Sequence, residues 1–205
     1  MAGDRRETRI QKKNREAILE GALDVFSAKG FRGATLDEIA EAAGLSKPNL
    51  LYYFASKEAI HRSLIEGLLD DWLAPLKAID REGDPVDEIV GYVLRKLEMS
   101  RTRPRESRLF ANEVLQGAPH IADTISGRLK ELVDQQAALF EDWIANGRLA
   151  PLEPKHLIFS IWATTQHYAD FEVQVAGILG GTGDMRFAEA QAFLATFYRQ
   201  ALAPR

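Results

Sequence analysis

The segment from Thr35 to Phe54 constrains the fold more than any other part of the sequence, because its pattern is that of two short helices joined by a sharp turn. Gly44 lies between the two helices, where glycine can adopt a positive φ without penalty. Ser46 is a favourable N-cap for the second helix, and Pro48 falls in its first turn, where the missing N–H breaks no helical hydrogen bond. The spacing predicts a helix-turn-helix that would place the start of its second helix in the major groove of DNA.

The flanking sequence predicts further helices. A first helix should run from about Lys13 to Lys29 and end at Gly30, and a fourth should run from Ser56 past Trp72 to about Pro75. Thr35 and Glu38 fit a capping box at the start of the second helix. The apolar positions expected to face the core of the two short helices are Leu36, Ile39, Ala40, Leu50, Leu51 and Phe54.

The length of 205 residues, with 46% apolar residues, allows a small DNA-binding domain and a larger second domain. We predict an all-α protein with a helix-turn-helix domain and basic N-terminal arm over residues 1–55 and a ligand-binding and dimerisation domain over residues 56–205. With no cysteine, disulfides and thiolate zinc sites are excluded.

Charge is unevenly distributed along the chain. The net charge is −4, yet residues up to 62 hold 11 basic and 9 acidic side chains, whereas the remainder holds 15 basic and 21 acidic ones. Because phosphate neutralisation needs Lys and Arg, this asymmetry favours a DNA-facing N-terminal part. No apolar run reaches the roughly 18 residues of a membrane span, and the N-terminus lacks the apolar segment of a signal peptide, so we expect a cytoplasmic protein without membrane contact.

The C-terminal half is also helical in pattern, with predicted helices at 84–101, 105–116, 125–143, 157–171 and 184–202. The first half of the helix that begins near Leu157 has no polar face, so it must be covered on nearly all sides. The last helix adds further apolar surface through Phe193 and Phe197. Two such helices predict a four-helix interface across a two-fold axis, hence a homodimer.

The helix-turn-helix residues resemble a known family. The run Ile39-Ala40-x-x-Ala43-Gly44-Leu45-Ser46-Lys47, followed by Tyr52-Tyr53-Phe54-x-Ser56-Lys57-Glu58, is similar to the TetR family of bacterial regulators. The resemblance implies an all-helical dimer whose C-terminal body binds a small molecule and thereby changes DNA affinity. It implies groove contacts by Lys47, Pro48 and Asn49, and phosphate contacts by Thr35, Tyr52, Tyr53 and Lys57. Ordinary half-buried tyrosines and a solvated Lys47 are the structural alternatives.

The body has a narrower resemblance, to the Rut-type pyrimidine-utilisation repressors within that family. It rests above all on the run Ile161-Trp162-Ala163-x-Thr165-Gln166-His167-Tyr168-Ala169-Asp170-Phe171, and also on Trp72-Leu73-Ala74-Pro75-Leu76-Lys77. This resemblance implies uracil or thymine as the effector and repression as the mode of action.

The residue types are compatible with such a ligand. Trp162 and Gln166 are four apart on one helix and therefore share a face. An indole offers a planar surface to a base-sized ring, and a carboxamide offers a donor and an acceptor to its N–H and C=O edge. Trp72 could cover the other side of the ring. Core packing without ligand contact is the alternative for both tryptophans.

Other functions have less support. We predict no catalytic residue, cofactor or metal site, because no nucleophile with a base, phosphate loop or metal cluster is evident and the four histidines are scattered. His167 and Asp170, three apart on one helix, are predicted to form hydrogen bonds in the core or dimer interface. A regulator of the same fold with another aromatic or lipophilic ligand, or a constitutive DNA-binding protein with a closed body, remains open.

Overall fold

A computed structural model of the chain describes residues 8–204, and within that range every regular element is helical, as predicted. The residues at the beginning of the predicted basic arm lie outside the described range. The helices are α1 Arg9–Gly33, α2 Leu36–Ala42, α3 Lys47–Tyr53, α4 Lys57–Lys77, α5 Pro85–Thr102, α6 Pro104–Leu115, α7 Ala122–Thr124, α8 Lys130–Ala145, α9 Pro154–Asp170, α10 Glu172–Leu179 and α11 Gly183–Leu202. A π-helical turn, Ile125–Leu129, joins α7 to α8.

The chain forms two compact units. The first consists of residues up to Leu68 together with Arg108–Ile121, and the second consists of Leu69–Ser107 together with the residues from Ala122 onward. Helix α4 therefore contributes its N-terminal part to the first unit and its C-terminal part to the second. The predicted boundary at residues 55 and 56 stays a prediction.

The core of the first unit is built from the inward faces of α1 to α4. Its fully buried side chains include Ile18, Phe26, Ile39, Leu50 and Ile60. Leu51, in contrast, is 40% exposed, so the prediction that it faces the core is wrong. Leu50 on α3 and Phe54, the C-cap residue that follows the helix, both face inward. Leu51, directly after Leu50, is rotated away from that side by the helical geometry.

Helices α1 and α2 approach one another closely at Gly21. A Cβ atom built on Gly21 would lie 2.9 Å from the backbone nitrogen of Ala43 and 3.0 Å from the carbonyl carbon of Ala42. The turn between α2 and α3 is closed by Gly44, whose φ is 67° as the sequence predicts. Both glycines are therefore needed for the angle of the helix-turn-helix.

Two predicted helix ends differ from the structure. Gly30, at φ 67°, interrupts α1 as expected, but a further helical turn reaches Gly33. Helix α4 continues through Pro75 to Lys77, because a proline near the last turn removes only one hydrogen bond. Helix α10 was not predicted. In the described part of the chain, no helix combines the length and hydropathy that a membrane crossing requires.

In the second unit, α5 packs against α9 and α11, and α8 packs against α9. The predicted cap at Asp84 is present, with its Oδ1 accepting from the backbone N–H of Asp87 at 2.9 Å and Pro85 in the first turn. Buried core residues include Val93, Phe140 and Ile158. Helix α5 thus lies between two partners, which explains why most of its surface is buried.

Candidate functional site

The exposed surface of α3 includes four of the residues that the sequence predicts to contact DNA, together with Leu51. Lys47, Pro48 and Asn49 are exposed, and Tyr52 has 72% of its surface accessible. The Lys47 ammonium donates to Asp37 Oδ2 at 2.9 Å on the neighbouring α2. Since the buried contacts of this segment are made by Leu50 and the C-cap residue Phe54, these polar and aromatic side chains are available to a partner.

The start of α2 is fixed by the predicted capping box. Thr35 Oγ1 accepts from the Glu38 backbone N–H at 3.3 Å, and the Thr35 backbone N–H donates to Glu38 Oε2 at 2.9 Å. Lys29 also donates to the Glu38 carboxylate, and these hydrogen bonds lower the pKa of Glu38 to about 2, with the bond from Lys29 as the largest cause. The carboxylate is therefore charged at neutral pH and holds the cap in place.

Tyr53 and Lys57 already have partners within the first unit. The Tyr53 hydroxyl accepts from Asn14 Nδ2 at 2.9 Å. The Lys57 ammonium donates to the carbonyl oxygens of Phe31 and Ala34 at 2.8 and 2.7 Å. These carbonyls favour a lysine in the first turn of α4 without any bound anion, although an ammonium has three N–H donors and one remains for a phosphate. The predicted phosphate contacts stay predictions.

In the second unit, the predicted ligand residues Trp162 and Gln166 both lie on α9, which packs against α5. The Trp162 indole N–H donates to the Tyr92 hydroxyl at 2.7 Å. Tyr92 is buried, and burial raises its pKa, so the hydroxyl stays protonated. Gln166 is half-buried one turn further along α9. Because its N–H is occupied, Trp162 can offer a ligand only the face of its ring.

Sequence reasoning missed Lys96, which lies on the buried side of α5. Its ammonium is 4.3 Å from the centre of the Trp72 ring, and the residue is 1% exposed. Neither Lys96 Nζ nor Trp72 Nε1 has a hydrogen-bond partner among the described residues. Burial lowers the pKa of Lys96 to about 7, partly opposed by the charge of Asp170. A lysine one helical turn after Tyr92, on the apolar face of α5, was the available signal.

Asp170 and His167 have different partners and different surroundings. The Ser107 hydroxyl donates to Asp170 Oδ1 at 2.6 Å, a hydrogen bond in the body core of the kind predicted. The exposed His167 ring stacks on Phe171 with 5.0 Å between centroids. Asp170 therefore belongs with the Lys96 environment, whereas His167 does not.

Helix α5 relates the two tryptophan contacts to each other. Tyr92 contacts Trp162, and Lys96, four residues further on, contacts Trp72. Residues four apart share a helix face, so one face of α5 carries both contacts. A separate open cavity of about 400 Å³ between α5 and α11 is lined by residues such as Arg101 and Phe187, and none of the predicted ligand residues lines it.

Comparison with known proteins identifies the family. Residues 18–64 match the profile of bacterial regulatory proteins of the tetR family, and residues 65–205 match the C-terminal region of YcdC-like proteins. The chain is 51% identical over 175 residues to the HTH-type transcriptional regulator RutR of Escherichia coli strain K12, covering 85% of this chain and 82% of that regulator. The chain belongs to the TetR family of transcriptional regulators.

Solved structures of TetR-family regulators share this fold. The ketosteroid transcriptional regulator KstR2 of Mycobacterium tuberculosis aligns with a TM-score of 0.72 at 21% identity, covering 93% of this chain and 95% of that one. A TetR family regulator from Marinobacter aquaeolei VT8 aligns with a TM-score of 0.71 at 19% identity, covering 96% and 99%. Family membership confirms the predictions of an all-helical DNA-binding regulator and of a protein that is not an enzyme.

The first unit of this TetR-family chain also contains a cluster that the sequence did not reveal. His61 on α4, Glu113 on α6 and His120 after α6 lie with one donor atom each within 4.8 Å of one another. His61 and His120 are far apart in the sequence, where the histidines are scattered, and they meet here only through the packing of α4 against the α6 segment.

Proposed function

We propose that this TetR-family regulator is a cytoplasmic homodimeric repressor that binds palindromic operator DNA and responds to a pyrimidine such as uracil or thymine. The proposal joins the similarity to RutR with the chemistry of the Trp72, Lys96, Trp162 and Gln166 side chains, which we call the ligand residues. Repression follows the usual mode of the family to which the sequence is similar.

The observation that carries the effector proposal is the pair of unpaired buried donors at Trp72 and Lys96. A buried donor without a partner costs about 1–3 kcal/mol, so two of them side by side favour a ligand that supplies acceptors. The carbonyl oxygens of uracil or thymine are such acceptors. The indole face of Trp72 would at the same time cover the planar ring.

Trp162 and Gln166 complete this chemistry. The Trp162 N–H is used by Tyr92, which orients the indole and leaves its face as the ligand contact. Gln166, one turn away on α9, has a carboxamide that can both donate and accept. That combination matches the alternating N–H and C=O groups of a pyrimidinedione, whereas a lipophilic ligand would leave the carboxamide and the lysine without partners.

Exposed apolar side chains on the C-terminal helices support the dimer. Phe159 on α9 is 49% exposed, and Phe193 and Phe197 on α11 are 61% and 48% exposed. The last two rings stack on each other with 5.9 Å between centroids, which makes a continuous apolar surface. A second copy of the chain would bury this surface in a four-helix interface.

A dimer also suits the DNA-binding proposal. Two α3 helices about 34 Å apart would contact successive major-groove faces of a palindromic site. Helix α4 carries both Lys57 and Trp72, so a ligand that prefers one position of α4 would change DNA affinity. The size of that change is limited to the difference in ligand affinity between the two states.

The test is calorimetric titration of the full chain with uracil and with thymine. We expect saturable binding, and an affinity about five- to tenfold weaker in Gln166→Ala, since one buried hydrogen bond is worth roughly 1–1.5 kcal/mol. Gln174→Ala, which removes an exposed carboxamide on α10, is the matched control and should bind like the parent. An unchanged affinity in Gln166→Ala would exclude the proposed polar contact.

A thermal-shift panel tests the identity of the effector independently of the DNA-binding proposal. A ligand at about 100 times its dissociation constant should stabilise the chain by about 2.7 kcal/mol. The panel should include uracil, thymine and a set of aromatic and lipophilic compounds, with and without selected operator DNA. Stabilisation only by aromatic or lipophilic compounds would show that the effector is not a pyrimidine. Stabilisation by no compound would favour a constitutive DNA-binding protein. Neither outcome would contradict DNA binding.

A further inference from the structure

The cluster formed by His61, Glu113 and His120, which we call the His–Glu–His cluster, is buried in the first unit. His61 is 1% exposed and Glu113 is 4% exposed. Glu113 Oε2 is 3.1 Å from His120 Nδ1 and 3.8 Å from His61 Nε2. The second distance is beyond a hydrogen bond, and His61 Nδ1 also lacks a partner among the described residues. The cluster therefore contains a buried imidazole whose Nδ1 has no hydrogen-bond partner among residues 8–204.

The local backbone is shaped to close this cluster. After α6, Gly117 and Ala118 have φ values of 89° and 55°, and Ala118 is the one non-glycine residue with a positive φ in the described chain. An alanine in this conformation is strained, at a cost of order 1 kcal/mol. The turn returns the chain to α6, so that the His120 backbone N–H donates to Glu113 Oε1 at 2.7 Å. Strain at Ala118 is thus tied to placing His120 beside Glu113.

Aromatic rings enclose the cluster. Phe31 contacts both imidazoles, with ring centroids 4.9 Å from His61 and 4.4 Å from His120, and Phe26 lies edge-on to His61 at 4.9 Å. A neutral imidazole and a carboxylate in an apolar shell are the state in which such groups ligate metal.

The donor set and its spacing select the ligand. Two imidazoles and one carboxylate suit Zn²⁺ and related transition metals, whereas Mg²⁺ and Ca²⁺ prefer oxygen ligands alone. Tetrahedral bonds of about 2.0–2.2 Å separate donor atoms by roughly 3.3–3.6 Å. The observed 3.1 and 3.8 Å bracket that separation, and all donor atoms lie within 4.8 Å. Rotamer shifts of the histidine side chains would bring the three donor atoms to a common ion.

The nearest cation does not block the cluster. Lys57 lies one helical turn before His61 on α4, but its ammonium donates to the Phe31 and Ala34 carbonyls and lies 4.5 Å from the Phe31 ring centre. The Glu113 carboxylate offsets part of the charge of a divalent ion. His120, with 15% of its side chain exposed, gives the cluster its access to solvent, where a water can take the fourth ligand position.

We propose that His61, Glu113 and His120 form a binding site for a divalent transition metal of the Zn²⁺ class. The ion joins α4 to the segment that follows α6 within the first unit. This site is independent of the effector proposed above, because it shares no residue with the ligand residues.

The test uses tag-free full-length protein that has been stripped with a chelator and then titrated with Zn²⁺ in calorimetry against a competing chelator. We expect one Zn²⁺ per protein chain in mass spectrometry of the gel-filtered protein. His120→Ala should weaken the affinity by at least about 100-fold, since even outer-shell changes cost 10–100-fold. His156→Ala removes an exposed histidine on α9 and should leave the affinity unchanged.

Glu113→Gln keeps the shape of the side chain and its acceptor for His120, so it answers the question if His120→Ala does not fold by circular dichroism. The intense visible absorption of four-coordinate Co²⁺ should appear in the parent and be lost in Glu113→Gln. Three results would each overturn the assignment. They are no saturable Zn²⁺ binding by the parent, equal Zn²⁺ affinity in the parent and Glu113→Gln, and loss of Zn²⁺ binding in His156→Ala.

Discussion

The helix-turn-helix and the region around the ligand residues treat their polar groups in opposite ways. In the helix-turn-helix, Thr35 and Ser46 cap the two short helices, and the Lys57 ammonium is held by two carbonyls. In the second unit, the Trp72 indole and the Lys96 ammonium are buried together, and neither N–H group has a hydrogen-bond partner among the described residues. The helices of the first arrangement are held in place without DNA, whereas the second contains buried donors that no described residue satisfies.

The difference indicates two kinds of binding surface. A surface whose helices are fixed by caps presents Lys47 and Asn49 in one orientation and loses little entropy when it meets a rigid duplex. A site with unpaired donors is less stable empty than filled, so ligand binding there can change the conformational equilibrium. Stability measurements on single variants can therefore distinguish the two regions.

The largest effect is expected for Lys96→Met, which replaces a buried ammonium with an apolar chain of similar length. In the absence of ligand we expect the free energy of unfolding at pH 7 to rise by about 1–4 kcal/mol, as for other replacements of buried charges. Pyrimidine affinity should fall in the same variant. Urea unfolding and calorimetry measure the two quantities.

The pH dependence of that gain has a defined sign. The pKa of Lys96 is about 7 in the folded chain and about 10.4 when unfolded, so the unfolded state binds more protons between these values. The stability of the parent therefore rises with pH across this window, and the advantage of Lys96→Met should shrink from pH 7 to pH 10. A variant less stable than the parent at pH 7 would show that Lys96 is paired in solution.

A smaller effect, of opposite sign, is expected for Gly21→Ala: a loss of stability. Alanine normally stabilises a helix relative to glycine, but here the new Cβ would meet the backbone of Ala43 at 2.9 Å. We expect the free energy of unfolding to fall by about 1–3 kcal/mol. Gly67→Ala in α4, where nothing lies within 4 Å of the added Cβ, is the control and should gain about 0.5–1 kcal/mol. Thermal unfolding of both variants should give opposite signs, and equal signs would contradict the close approach.

The smallest change in stability is expected for Lys47→Ala, because its ion pair with Asp37 is exposed. The free energy of unfolding should change by less than about 0.5 kcal/mol. DNA affinity should fall, and the slope of log K against log salt should decrease by about 1 if the lysine contacts a phosphate. Lys130→Ala removes a comparable ion pair with Asp134 on α8 and should leave DNA binding unchanged. Equal DNA affinity in the parent and Lys47→Ala would remove Lys47 from the interface.

The parts of the molecule governed by local chemistry were predictable from the sequence. The φ of Gly44, the caps at Thr35 and Ser46 and the Asp84-Pro85 start of α5 each depend on a few neighbouring residues. The outward orientation of Leu51 was not, because in a helix of seven residues the apolar pattern is too short to define one face.

The features that could not be predicted depend on packing between segments that are distant in the sequence. Lys96 belongs with Trp72 only because α4 and α5 bring them together, and periodicity marked its position without showing that the ammonium is buried. His61 and His120 meet only when the turn at Ala118 folds back on α6. Tertiary contacts of this kind have no counterpart in motif spacing, so the buried lysine and imidazoles were not predictable, and the ligand contacts of Trp72, Trp162 and Gln166 stay predictions.

The close approach at Gly21 has a consequence for how such regulators diverge. A side chain at this position would push against the end of α2, so packing constrains the angle between α1 and α2 independently of the DNA sequence that is bound. The exposed positions 47–49 carry no comparable packing constraint. Changes of operator preference can therefore accumulate on α3 as neutral steps with respect to folding, and an engineered library should vary those positions while leaving Gly21 fixed.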